Sequence, residues 1–139
     1  MTTASSALPP DAEEISRGGF NRFVGPIYKL GDSGPGGTYR YAFIAAERHM
    51  NAAGSVHGGM LMTFMDVAMS RTTRLAAGAR SLSTVSMSCD FVGPGRLGDL
   101  VEARVRVVRA SRSFVFMSGE ILAGDRPLMN ATGLWKIVL

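Results

Sequence analysis

Between Gly58 and Ala77 the chain keeps helical spacing, and from Gly58 to Ser70 its only charged residue is Asp66. Arg71 and Arg74 enter in the later turns and Gly78 supplies a helix stop. The early turns are therefore apolar nearly all round, and a helix of that kind must be buried. The rest of the chain has to cover it, and its patterning is that of strands. Thr84–Phe91 alternates Val85, Met87, Cys89 and Phe91 against Thr84, Ser86, Ser88 and Asp90. Leu100–Arg109 sets Val101, Ala103, Val105 and Val107 against Glu102, Arg104 and Arg106, the clearest half-buried strand signal in the chain. Ser113–Ala123 and Leu128–Val138 follow, parted by a turn at 123–127, and Thr38–Glu47 reads as a strand ahead of the helix. This order predicts an α+β domain with one antiparallel sheet packed on one central helix.

A chain of 139 residues fits one domain. Residues 1–19 read as a flexible tail and a short helix, with Pro10 near the helix start and Asp11, Glu13 and Glu14 in its first turn. Residues 20–139 form the domain. Phe20–Tyr28 reads as a short helix running into an extended piece, and 31–37 as a glycine-rich turn region. No apolar run reaches the roughly 18–20 residues of a membrane span, and the N-terminus lacks the pattern of a signal peptide. One cysteine, Cys89, excludes an internal disulfide and points to the cytoplasm. Two histidines and that cysteine, without ligand spacing, speak against a metal. The net charge of +4 rests on thirteen arginines and two lysines, scattered without blocks or interleaved aromatics. Nucleic-acid binding is not expected from that pattern, whereas a phosphate-bearing small molecule suits arginine forks.

Asp66 is the residue that calls for an explanation. A carboxylate in so apolar a run is costly to desolvate unless it has a partner or a function. The plainer alternative is an Asp on the solvated face of the helix. Just upstream, residues 51–59 read as a polar loop feeding the helix N-terminus, where unpaired N–H groups bind oxyanions. A carboxylate with an oxyanion cradle suggests acyl transfer. Asp66 lies eight residues beyond Gly58, about 12 Å along one helix at 1.5 Å per residue. The two cannot grip one carbonyl carbon from a single chain, so a shared substrate requires two copies.

Asn51, Gly54, His57, Gly58, Gly59 and, after six arbitrary residues, Asp66 form a pattern that resembles the hotdog-fold acyl-CoA thioesterases of the phenylacetate-pathway (PaaI-like) type. The likeness extends to Thr84, Met87, Phe91 and Pro94, to Gly98-Asp-Leu-Val-Glu102, and to Ala131-Thr-Gly133 with Lys136, covering roughly residues 20–138. The resemblance implies a long helix wrapped by a curved antiparallel sheet, with two units joined edge to edge in a homodimer and two dimers pairing into a tetramer. It also implies an active site at the dimer interface. The expected reaction is hydrolysis of acyl-CoA to free acid and coenzyme A. Coenzyme A is then part of the substrate, and no separate cofactor is expected.

In that reading the amides of Gly58 and of Gly59 polarise the thioester carbonyl, with the helix dipole behind them. Asp66 of the other subunit is general base toward water or attacks directly. Asn51 orients water or carbonyl, or merely caps its loop; His57 contacts the thioester, or bonds nearby backbone. Thr84 and Ser70 compete to position the carboxylate, with Thr84 preferred. Arg109, Arg112 and Arg96 are candidates for the coenzyme A phosphates, or plain solvated arginines. The methionines at 60, 62, 65, 69, 87 and 117 are core filler, a fraction of them lining an acyl pocket. Two rivals share the fold. A hydratase or dehydratase of acyl chains is disfavoured because His57-Gly58-Gly59 stands where the acyl-carrier type has a Pro-Gly pair. A non-catalytic acyl-CoA sensor is disfavoured because sensors lose the helix carboxylate and carry an added DNA-binding segment, for which this length leaves no room.

Overall fold

The computed structural model describes residues 7–34, 37–78 and 81–138. In chain order these form β1 (Glu13–Glu14), α1 (Gly19–Val24), β2 (Tyr28–Gly34), β3 (Thr38–Ile44), α2 (Gly58–Ala77), β4 (Ser81–Phe91), β5 (Leu100–Ala110), β6 (Phe114–Ala123) and β7 (Arg126–Val138). A 3-10 turn at Glu47–His49 separates β3 from the loop before α2. The seven strands make one antiparallel sheet in the order β1-β2-β3-β5-β6-β7-β4. It curls around α2, which touches every strand from β3 to β7. This is the helix-in-sheet arrangement of the hotdog fold.

Periodicity explains the core. On α2, Met60, Leu61, Phe64, Met65, Ala68 and Met69 are buried, at the i, i+1, i+4, i+5 spacing that makes one stripe. Strand alternation meets it with Val101, Ala103 and Val105 from β5, Val115 and Met117 from β6, and Trp135 from β7. Phe64 packs edge-on to Phe43 at 4.8 Å between ring centroids. The buried hydroxyls of Thr72 and Tyr41 are satisfied in place. Thr72 Oγ1 donates to Ala68 O at 2.8 Å, and the Tyr41 hydroxyl reaches the same Oγ1 at 2.8 Å. Burial pushes the Tyr41 phenol up to about 12, so it stays a neutral donor. Gly78 ends α2 at φ 63°, a left-handed position natural for glycine.

Three local expectations differ. The helix anticipated after Pro10 is extended instead: Glu13 and Glu14 pair with Lys29 and Tyr28, and the Ile15 N–H donates to Ile27 O at 2.8 Å. A helix so short has little stability of its own, and a ready sheet edge outcompetes it. The first six residues of the expected tail lie outside the described residues. Part of the anticipated turn at 31–37 belongs to β2, which continues to Gly34. The third difference is in β4, where Thr84 pairs with Trp135 and Ser86 with Leu134, so Val85 is a bulge residue. One extra residue reverses the alternation. Leu82 and Thr84 thus face α2 together with Met87 and Cys89.

Candidate active site

The loop entering α2 is built by its own side chains. Asn51 Oδ1 accepts from the Ala53 and Ser55 N–H groups, each at 3.0 Å, and its Nδ2 donates to Ser55 Oγ at 3.0 Å. This is an Asn-turn that leaves one Nδ2 hydrogen unspent. Gly54 turns the chain at φ 86°. His49 anchors the loop from below: buried beside Phe43, it accepts from the Ala46 N–H at 3.0 Å and donates from Nε2 to Val24 O at 2.5 Å. Burial lowers its pKa, against the opposing effect of the Val24 hydrogen bond and with a smaller contribution from the Arg48 charge. The His49 carbonyl in turn accepts from the His57 N–H at 2.8 Å.

His57 is the N-cap of α2, and its Nδ1 accepts from the Gly59 N–H at 2.8 Å. The Gly59 amide is therefore engaged within the chain. The Gly58 N–H has no acceptor among the described residues, and it points out at the positive end of a twenty-residue helix. A Cβ at Gly58 would lie 3.3 Å from Phe91 Cε1, so the ring of β4 borders this amide.

Two turns further along α2, Asp66 is half-buried and faces β4. Thr84 Oγ1 donates to Asp66 Oδ1 at 2.6 Å, and Oδ2 has no hydrogen-bond partner among the described residues. The bulge at Val85 is what aims Thr84 at this carboxylate. Ser70, one turn on, is engaged elsewhere, its Oγ accepting from Trp135 Nε1 at 2.8 Å. Of the two competing hydroxyls, Thr84 is the one on the acid. Beside Asp66 a cavity of about 180 Å³ opens between α2 and the segment Ile15–Asn21.

The structure thus brings Asp66 and Thr84 together, and Asn51, His57, Gly58 and Gly59 together, as two clusters about 12 Å apart along α2. Arg96 is exposed in the β4–β5 loop next to Gly95, whose carbonyl accepts from Val56 N–H near the first cluster. Arg109 and Arg112 are exposed around the β5–β6 hairpin. A larger concavity of about 740 Å³ lies on the sheet face away from α2 and shares no residue with either cluster. There Glu102 bridges Arg40, through two contacts of 3.1 and 3.2 Å, and Arg104 at 2.7 Å. Among the described residues no three His, Cys, Asp or Glu side chains gather as a metal-binding group.

Residues 53–130 match the family model described as the thioesterase superfamily. The chain belongs to the thioesterase superfamily. That membership places it among hydrolases. It is 30% identical over 92 residues to a Pseudomonas aeruginosa protein named as an esterase, across 66% of this chain and 69% of the relative. It is 26% identical over 126 residues to human acyl-coenzyme A thioesterase 13, across 87% of this chain and 86% of that one. Among solved structures, a variant of the phenylacetic acid degradation protein PaaI from Thermus thermophilus superposes with a TM-score of 0.74 at 24% identity, covering 86% of this chain and 98% of the other.

Some residues beside Asp66 were not anticipated from the sequence. Arg17 and Asn21 reach the cavity beside Asp66 only because the buried Ile15 and Ser16 pin their segment; Ser16 Oγ accepts from the Ile27 N–H at 2.7 Å. Nothing local in the sequence announces that docking. Arg71 stands one helical turn after Val67, which also lines this cavity, and about 140° round the helix from Asp66, so spacing from the carboxylate alone does not announce it.

Proposed function

We propose that the protein hydrolyses acyl-CoA thioesters to the free acid and coenzyme A at sites shared between two copies of the chain. The observation that supports this best is the separation within one chain of an unspent Gly58 N–H from an Asp66 carboxylate held by Thr84. Neither cluster completes a site alone, and β4 supplies a means of joining two. It is an edge strand of eleven residues, paired among the described residues only with β7. Exposed along it and on the adjoining helix face are Val85, Phe91 and Met62. Gly58 abuts Phe91 at one end of β4, and Asp66 abuts Thr84 toward the other. Antiparallel pairing of two β4 edges about a two-fold axis near Met87 and Ser88 sets the partner's Phe91 end beside Thr84. One protomer's amide then faces its partner's carboxylate.

In such a site the Gly58 N–H, backed by the helix dipole, holds the thioester oxygen as it gains charge. Asp66 either takes a proton from water, whose oxygen adds to the carbonyl carbon, or adds directly to give an anhydride that water then opens. Either way the C–S bond breaks and coenzyme A leaves as its thiol. Thr84 fixes the carboxylate through Oδ1, leaving Oδ2 to react. Thr84, Trp135, Val115 and Ala110 form one row across the sheet. Arg109 and Arg112, at the end of that row, stand three strands from Thr84, about 14 Å at 4.8 Å per strand. A pantetheine arm of about thirteen bonds spans roughly 15 Å, so its phosphates would reach those arginines.

The test is thiol release from a panel of acyl-CoA thioesters by the wild type and by Asp66→Asn. Release by the wild type alone supports hydrolysis through this carboxylate. Tight binding without release would favour a sensor instead. Sedimentation of the same samples reads the dimer, and any pairing of dimers into a tetramer.

A further inference from the structure

We propose that the cavity beside Asp66 selects a short acyl chain ending in a carboxylate, so that the substrate is the coenzyme A monothioester of a small dicarboxylic acid; this rests on the thioesterase reading above. The cavity has the wrong chemistry for a plain alkyl or aryl group. Arg17, Arg71 and Arg74 line it against a single acid, Asp66, with Asn21 adding an amide. Leaving Arg74 aside, the Arg17 and Arg71 guanidinium groups against one carboxylate leave an excess of positive charge facing the place where the acyl group must lie.

Arg71 carries the argument furthest. Its Nε is buried and has no hydrogen-bond partner, and no acidic side chain forms an ion pair with it among the described residues. Asp66 is within reach along the helix yet forms its hydrogen bond with Thr84. An Arg fork matches a carboxylate with two parallel N–H···O bonds, a geometry that neither an alkyl group nor a ring provides. Arg17 approaches from the opposite wall of the cavity, so a bound carboxylate would be held from both sides.

The cavity is small as well as charged. About 180 Å³ is room for roughly six water-sized groups at 30 Å³ each. A four- or five-carbon diacid fills it beyond the thioester carbon. Ile15 and Val67 supply apolar wall for its methylenes. Arg71 is five residues from Asp66, about 7.5 Å along the axis and about 140° round the helix, and its long side chain lines the same cavity as the carboxylate. That is the reach of a short diacid with its thioester carbon at Asp66. It is half the span of a pantetheine arm, so the coenzyme A phosphates do not account for this cluster.

The experiment compares kcat/KM for glutaryl-CoA and pentanoyl-CoA, which differ in the terminal carboxylate. The wild type is expected to prefer glutaryl-CoA at least tenfold. Arg71→Met should shrink that ratio at least tenfold, and Arg71→Lys less so. Arg17→Gln, on the exposed wall where folding is not at stake, should shrink it several-fold. Pentanoyl-CoA turned over as well as or better than glutaryl-CoA would overturn this inference and leave the thioesterase reading standing. A ratio unmoved in both Arg71→Met and Arg17→Gln would overturn it as well. Hydrolysis of neither thioester, nor of any other in the panel, would overturn both.

Discussion

Replacing Gly58 with proline removes the amide hydrogen and puts a pyrrolidine ring in its place. Gly58 is the first residue of α2 after the cap, where the N–H has no intrahelical acceptor and proline's fixed φ suits a helix start. The preceding residue, His57, has ψ 135°, inside the region that a following proline requires. The added Cβ meets Phe91 Cε1 at 3.3 Å, a contact relieved by a few tenths of an ångström of ring movement. Stability should therefore change by no more than about 1 kcal/mol, with the stiffer unfolded chain offsetting the new contact. Catalysis should respond very differently. Deleting one oxyanion donor costs on the order of 10²–10³ in kcat, about 2.7–4 kcal/mol. Gly58→Ala keeps the N–H and makes the same Cβ contact, so it isolates the ring's contribution and should cost less than about tenfold. Thiol-release kinetics and urea melts on the three proteins measure both quantities. A folded Gly58→Pro protein retaining more than a tenth of wild-type kcat would refute the oxyanion role of this amide.

Three further outcomes follow from contacts elsewhere. Thr84→Val keeps the shape beside Asp66 but removes a charge-assisted hydrogen bond, so kcat should fall by about 10- to 100-fold while Thr84→Ser stays near wild type; equal rates for all three would contradict the positioning role. Gly133→Ala would put a Cβ 2.3 Å from Trp135 Cζ3 and 3.3 Å from Met69 Sδ, displacing the ring that Ser70 holds. Thermal melts should show about 1–3 kcal/mol of lost stability from such overpacking, together with a changed near-ultraviolet tryptophan signal. For His49, burial places the folded pKa below the ordinary 6.5, so as pH falls below 6.5 the unfolded chain takes up a proton that the folded one refuses. Stability present above pH 6.5 is then lost on acidification, by at most about 1.4 kcal/mol per pH unit. Melting temperatures from pH 7.5 to 5.5 should slope less in His49→Gln than in wild type, and identical slopes would remove His49 as the cause.

The helix and the inner strands were legible because periodicity and punctuation agree there. Gly58 and Gly78 bracket α2, and Val101, Ala103 and Val105 alternate in β5 as they are buried. The carboxylate and its loop were legible because Asp66 is alone in an apolar run. The bulge at Val85 was not, since a strand's partner register decides where an extra residue is absorbed. Its consequence is that Thr84, apparently on the wrong side of its strand, is the hydroxyl that meets Asp66. The engagement of Gly59 by His57 was equally hidden, because a histidine before two glycines does not reveal which ring nitrogen accepts from which amide. The arginines beside Asp66 needed the docking of residues 15–21, a contact between segments far apart in the chain.

The claim that each site is shared between two chains has a direct test in mixed dimers. Asp66→Asn and Gly58→Pro protein are each prepared, then dissociated and reassociated in equal amounts, and thioester hydrolysis is followed. A mixed dimer pairs the intact carboxylate of one protomer with the intact amide of its partner, giving one working site of two. Random pairing makes about half of the dimers mixed, so the mixture should recover about a quarter of wild-type activity from two nearly inactive parents. Activity no higher than the mean of the two parents, with subunit exchange verified by mass, would mean that Asp66 and Gly58 do not meet across an interface.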